Sequence, residues 1–236
     1  MVRTPIWKSI ATTLTAEIAQ GHYAPGEKLP TEANLAARFG VNRHTVRHAL
    51  GSLVSEGLVH TRRGAGAFVA QRPTDYPIGR RVRFHQNLAA AGRVPAKEVL
   101  TLLSRSAGPR ECEALNLSAG DEVHVYEGLS LADGQPIALF RSVFPRTPFP
   151  DLLKDLNETK SVTAALERVG IEDYIRISTR LTAKQANATQ ALHLRISEGA
   201  PILRTVGINA DLSGRPVEYG HTWFAGDRVT LTVSDV

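Results

Sequence analysis

Residues 31–69 read as two short capped helices followed by a glycine-tipped hairpin, and this order constrains the fold more than any other feature of the chain. Thr31 can accept a backbone N–H at the start of a helix through Leu35, Ala36 and Phe39, which Gly40 ends. Asn42 can do the same for the next helix, whose apolar face is Val46, Ala49, Leu50 and Leu53. Upstream, Thr4-Pro5 predicts a cap with proline in the first helical position. Ile6, Ile10, Leu14 and Ile18 then predict one apolar stripe, closed by Gly21. Two short helices joined by a tight glycine turn make a helix-turn-helix.

The second helix of that pair carries the chemistry. With its apolar face used, Arg43, His44, Arg47 and His48 face the other way, with Thr45 beside them. In this motif the first turns of the second helix meet base edges. Arginine suits guanine O6 and N7, and threonine suits a base or a thymine methyl. The alternative is a solvated basic face on an ordinary helix. The following hairpin favours the first reading. Leu58–Arg62 predicts a strand, Arg63-Gly64-Ala65-Gly66 a turn, and Ala67-Phe68-Val69 the returning strand. Gly64 and Gly66 would let the backbone pass close to a phosphate. Arg62 and Arg63 put charge at the tip, for the minor groove or the phosphates. Double-stranded operator DNA is the expected partner.

Charge placement agrees. Residues 1–75 hold nine Lys+Arg against five Asp+Glu, and the rest nineteen against eighteen, so most of the net +5 lies in the first third. A chain of 236 residues suits two compact domains. The expected division is a DNA-binding domain at 1–70, a proline-stiffened linker at 71–78 and a second domain at 79–236. The single Cys112 leaves no internal disulfide and no cysteine-rich zinc site. No apolar run reaches membrane-spanning length, and the first residues have no apolar signal core, so a cytoplasmic protein without a membrane partner is expected.

The second domain shows a two-fold internal repeat. Leu115-Asn116-Leu117 leads to a strand after Gly120, a turn at Ala132-Asp133-Gly134-Gln135 and a return from Pro136. Leu192-His193-Leu194 leads to a strand after Gly199, a turn at Ser213-Gly214-Arg215 and a return from Pro216. Two such halves predict one antiparallel sheet with helices packed on it, so the fold class is α+β.

The series from Leu29-Pro30-Thr31-Glu32 through Phe39-Gly40-Val41-Asn42-Arg43, Thr45-Val46-Arg47 and Glu56-Gly57-Leu58 to Gly66-Ala67-Phe68-Val69 resembles the GntR family of bacterial regulators. The resemblance covers about residues 5–70. It implies a winged helix-turn-helix that binds DNA through Thr31, Asn42, Arg43, His44, Thr45, Arg47, Arg62, Arg63, Gly64 and Gly66. The family often has a basic residue after the glutamate matching Glu32, and here Ala33 stands there.

Residues 76–236 resemble the effector domain of the HutC branch, the UTRA domain, which shares its fold with chorismate lyase. The matching pieces include Ala132–Ala138, Gly214–Tyr219 and Gly226-Asp227-Arg228. Within the branch, Asn42–Thr45, Asp75-Tyr76-Pro77 and Arg83-Phe84 are most similar to the regulators of phosphonate-use operons. The resemblance implies a homodimer that represses from a palindromic operator until a small anionic effector binds.

Helix starts offer backbone donors to an anion. Two stand out: Phe84-His85 with Arg83 beside it, and Ser161-Val162-Thr163. Sugar-phosphate sensors of the branch hold phosphate with residues matching Phe84, His85, Ser161 and Thr163, while Glu218 and Trp223 match positions that touch the organic part. Ser161 could equally be a helix cap alone, and Glu218 an exposed residue paired with Arg215. The sensors' strand arginines are replaced here by Gly128 and Ser130, and a strand glutamate by Phe140. Arg83, Arg141 and Arg176 are then the candidate cations.

Besides a structural nucleic-acid-packaging protein, which would need basic charge spread along the whole chain, two rivals stand beside this reading. One is an enzyme of chorismate-lyase-like fold joined to a DNA-binding module, with Asp75 and Glu218 as acid and base; no nucleophile elbow, P-loop or zincin signature supports it. The other is a metal sensor built on His44 and His48, four residues apart. No cofactor or metal is expected.

Overall fold

The computed structural model describes residues 5–62, 64–70, 73–81 and 83–233. The chain divides into two compact units between residues 72 and 73.

The first unit runs α1 (Ile6–Ala19), α2 (Glu32–Phe39), α3 (Arg43–Ser55), β1 (Val59–Arg62) and β2 (Gly66–Val69). Ile10 and Leu14 of α1 are buried with Leu35, Val46, Ala49 and Leu53 in one core. The expected stripe fails at Ile6, which is 63% exposed. A four-residue step overshoots the 3.6-residue turn, so the stripe drifts around the helix and its first member leaves the core face. Pro5 occupies the cap position itself, one place earlier than expected, and Thr4 lies outside the described residues. The other helix signals act as read. Thr31 Oγ1 accepts from Asn34 N at 3.2 Å, and Asn42 Oδ1 from Thr45 N at 2.8 Å. Gly40 closes α2 at φ +64°, where a side chain would be strained. Strands β1 and β2 pair antiparallel from Val59 opposite Val69 to Arg62 opposite Gly66.

The second unit begins with β3 (Thr74–Pro77), inside the segment read as a linker. It pairs in parallel with β10 (Val229–Thr232), and Tyr76 packs beside Leu88 and Phe224. The backbone donors of this stretch are thus taken up by a strand from the other end of the chain, which local reading cannot foresee. Then follow α4 (Phe84–Ala90), β4 (Pro95–Ser106), α5 (Pro109–Leu115), β5 (Glu122–Ala132), β6 (Gln135–Pro145), α6 (Leu152–Thr159), α7 (Val162–Arg168), β7 (Tyr174–Gln185), α8 (Ala188–Leu194), β8 (Pro201–Asp211) and β9 (Pro216–Ala225).

Six strands form an antiparallel sheet in the order β4-β5-β6-β9-β8-β7. The internal repeat is visible in that order. Each half is a long outer strand, a helix and a hairpin, and the halves join where β6 meets β9. The sequence repeat showed the hairpins and missed β4 and β7. Asp133 and Gly134 turn the first hairpin with φ of +49° and +76°, the pair that a two-residue turn between twisted strands requires. Side chains alternate across the sheet. Tyr126, Phe140 and Phe144 join Leu152, Leu156 and Leu166 of α6 and α7 on one face. Trp223 and Leu139 join Ala191 and Leu194 of α8 on the other.

Candidate functional site

The exposed side of α3 is assembled by its cap. Thr45 donates both its N–H and its hydroxyl to Asn42 Oδ1, at 2.8 and 2.9 Å. The hydroxyl proton is therefore used, and Thr45 retains its oxygen lone pairs and its methyl group for an outside contact. Arg43 and His44 are exposed. Arg47 is exposed too, and it is also held: its Nε and Nη2 donate to the Glu32 carboxylate at 3.1 and 2.7 Å. That pair keeps the Glu32 carboxyl below the usual range. Its physical effect is orientation, because an exposed ion pair adds little stability while a two-point clasp fixes the plane of a guanidinium.

His48 is exposed as well. Its ring stacks on Trp7 of α1 with centroids 4.2 Å apart. Among the described residues no group of three or more His, Cys, Asp or Glu could hold a metal. In the hairpin, Gly64 and Gly66 have φ of +74° and +106°. Arg63 lies outside the described residues, and of Arg62 only the backbone is described. Lys28 is a cation the sequence reading missed. It bridges to Phe68 of β2, and a Cβ on Gly66 would lie 3.2 Å from its Cε. Its signal was nearby: Leu29, the next residue, is buried and bonds through its backbone to Ala67.

The second unit holds a half-open cavity of about 430 Å³ between the sheet and the starts of α4 and α7. Arg83, Phe84, His85, Ser161, Thr163, Arg176 and Glu218 all line it. Thr163 Oγ1 lies 3.0 Å from the Tyr174 hydroxyl, and burial pushes that phenol up to about 12. Ser161 Oγ accepts from Ala164 N at 3.3 Å, so it caps α7 while lining the cavity. Burial, and then the charge of Lys97, lower the His85 pKa and favour a neutral imidazole.

Glu218 is buried, not paired with Arg215 at the surface. It accepts from Ser142 Oγ and from Asn209 Nδ2, each at 2.5 Å. Arg215 pairs with Asp211 instead. Asn209 Oδ1 accepts in turn from Arg176 Nε at 2.6 Å, so one polar row crosses the cavity floor. The Arg176 guanidinium lies against Gly207, where any Cβ would collide with it. Arg83 is spoken for: it donates to Asp173 and to the Tyr174 carbonyl, both at 2.8 Å, and stacks 3.6 Å from the Tyr174 ring centre.

Two expected residues lie elsewhere. Arg141 pairs with Glu127 on the opposite face of the sheet, and Trp223 sits on that face under α8. The reason is strand parity: Phe140, Ser142, Thr222 and Phe224 line the cavity, so their neighbours Arg141 and Trp223 point away.

The cavity also holds a cation that sequence reading overlooked. Lys97 of β4 extends over the rings of Phe140, Phe84 and Tyr126, with Nζ 4.3, 5.3 and 5.6 Å from their centres. Desolvation brings its pKa down to about 8, against the opposing pull of Glu218. The Phe140 ring lies on Gly128, where an added Cβ would be 2.9 Å from Cζ and closer still to the Glu98 carbonyl. A side chain at 128 and the ring of Phe140 are therefore mutually exclusive.

Residues 7–69 match the description "Bacterial regulatory proteins, gntR family", and residues 90–230 match "UTRA domain". The chain is 38% identical to an uncharacterized HTH-type transcriptional regulator of Rhizobium meliloti, over 97% of this chain and 94% of that one. It is 33% identical to the probable transcriptional regulator PhnF of Escherichia coli, over 96% and 94%. The HTH-type transcriptional repressor NagR of Bacillus subtilis is 28% identical over 96% and 93%. The crystal structure of PhnF from Mycobacterium smegmatis shares the fold, with a TM-score of 0.65 at 23% identity, covering 96% of this chain and 99% of that one. These relatives are transcriptional regulators, not enzymes. The chain belongs to the GntR family of bacterial regulatory proteins, in the group that carries a UTRA domain.

Proposed function

We propose that this regulator is a cytoplasmic homodimeric repressor whose hold on a palindromic operator is released by a small anionic effector. The observation that carries this reading is the pairing, in one chain, of an exposed α3 start with a half-open cavity of mixed polar and apolar lining. Arg43, His44, Thr45 and Arg47 face outward on the first unit. The second unit's cavity has cations and hydroxyls on its walls and is of a size suited to a small ligand. Arg43, Thr45 and Arg47 read base edges. Thr31, Asn42 and His44 lie at the helix starts beside the phosphates, and Gly64, Gly66, Arg62 and Arg63 carry the wing. Two modules related by a two-fold axis would meet half-sites about one helical turn apart. Named repressors among the relatives support the sign, and the resemblance of Asn42–Thr45, Asp75-Tyr76-Pro77 and Arg83-Phe84 to regulators of phosphonate-use operons supports a phosphonate or phosphate as the anion.

The effector acts through its differential affinity for DNA-bound and free states. A thermal-shift screen of inorganic phosphate, phosphonates and sugar phosphates, followed by operator binding with each hit, tests this. A hit that weakens operator binding, and that Thr163→Val abolishes, is expected. Hits that leave operator affinity unchanged would defeat the reading.

A further inference from the structure

We propose that Lys97 is the residue by which this chain selects its effector, and that the effector is a small anion whose other end carries an amine or hydroxyl for Glu218. This rests on the cavity being the effector site. Lys97 is partly buried, lies on a cushion of three aromatic rings, and makes no ion pair with a described carboxylate. Rings attract an ammonium without neutralising it, so its charge remains available to a ligand. Arg83 shares the Asp173 carboxylate with Arg81, and Arg176 is oriented along the floor by its bond to the neutral Asn209 amide. Lys97 has no such side-chain tie, so its ammonium can turn toward an incoming anion.

The neighbouring packing explains why the cation comes from β4. The Phe140 ring fills the space beside Gly128 and leaves no room there for a long side chain on β5. The same ring carries the Lys97 ammonium on its face. A compact point charge with three rotatable donors replaces a planar fork, which favours a small anion over one needing bidentate clasping.

Glu218 sets the other end. Its two oxygens each accept one bond, from Ser142 and Asn209, and each keeps a further lone pair. A buried carboxylate so placed favours a donor and repels a second anion. A ligand with an anionic head at Lys97 and an N–H or O–H at Glu218 satisfies both.

Isothermal titration of the full chain with ethylphosphonate, 2-hydroxyethylphosphonate and 2-aminoethylphosphonate tests this. The two donor-bearing probes should bind at least about tenfold more tightly than ethylphosphonate, the loss expected when a buried polar partner goes unmet. Lys97→Met should weaken all three by about tenfold or more, and Lys97→Arg should recover part of the loss. Glu218→Gln should erase the preference for the amine while leaving ethylphosphonate binding in place. Equal binding of the three probes, unchanged binding by Lys97→Met, or no binding of any probe would overturn the proposal. A sugar phosphate that releases the operator through Thr163 but is indifferent to Lys97 would also overturn it, while leaving the effector-controlled repressor standing.

Discussion

Replacing Lys97 with methionine should make the unliganded protein more stable while weakening its response to anions. Methionine fills nearly the same volume and needs no hydration. Desolvation brings the Lys97 amine from 10.5 to about 8. At about 1.4 kcal/mol per tenfold change in proton affinity, this bounds the cost of keeping the ammonium in the folded cavity at about 3 kcal/mol. Residual exposure to solvent screens part of it, so a gain of about 1–2 kcal/mol is expected at pH 7. For a unit of this size that is a rise of about 2–8 °C in the melting temperature.

The pH dependence fixes the cause. Below pH 8 the amine is charged in both states, and the folded state bears the full cost. Between 8 and 10.5 the folded protein has released this proton and the unfolded chain still holds it, so wild-type stability rises with pH. Above 10.5 both amines are neutral and the cost disappears. The advantage of Lys97→Met over wild type should therefore shrink between pH 7 and pH 10. Urea unfolding of both full-length proteins at the two pH values measures it. A variant less stable than wild type at pH 7, or an advantage that does not change with pH, would refute a desolvated ammonium at this position.

Three further outcomes follow from the geometry. Arg47→Ala should cost about 1–3 kcal/mol on operator and little on random DNA in fluorescence anisotropy; equal losses on both would show that Arg47 meets phosphate alone. Gly128→Ala should destabilise the second unit by about 1–3 kcal/mol through overpacking against Phe140 and the Glu98 backbone, and a chemical denaturation midpoint equal to wild type would count against that contact. Arg141→Ala should leave phosphonate binding unchanged, since Arg141 faces Glu127 across the sheet from the cavity; a loss in titration calorimetry would place it in the site after all.

Local chemistry is what the sequence shows best. Thr31, Asn42 and Gly40 act within a few residues of themselves, so their caps were legible without a structure. The two starts at Phe84 and Ser161 were legible for the same reason, with the family resemblance added, and both line the cavity. The repeat of hairpins around Asp133-Gly134 and Ser213-Gly214 was legible because tight turns need particular residues. The stack of His48 on Trp7 was not legible because Trp7 comes from another helix. Arg141 and Trp223 were misassigned because, with a side-chain period of two, which face of the sheet a residue meets depends on strand register.

The sequence by itself determined that a winged helix-turn-helix precedes an antiparallel α+β domain, and that helices start at Phe84 and after Ser161. These are consequences of caps, turns and periodicity, which are short-range. Only the tertiary structure decided which cations line the cavity. Lys97 lies far along the chain from Phe140 and Glu218, and nothing around it in sequence marks it. It becomes the cavity's available charge because strand pairing sets β4 beside β5 and β5 beside β6, which lays the Phe140 ring over Gly128 and beneath the ammonium.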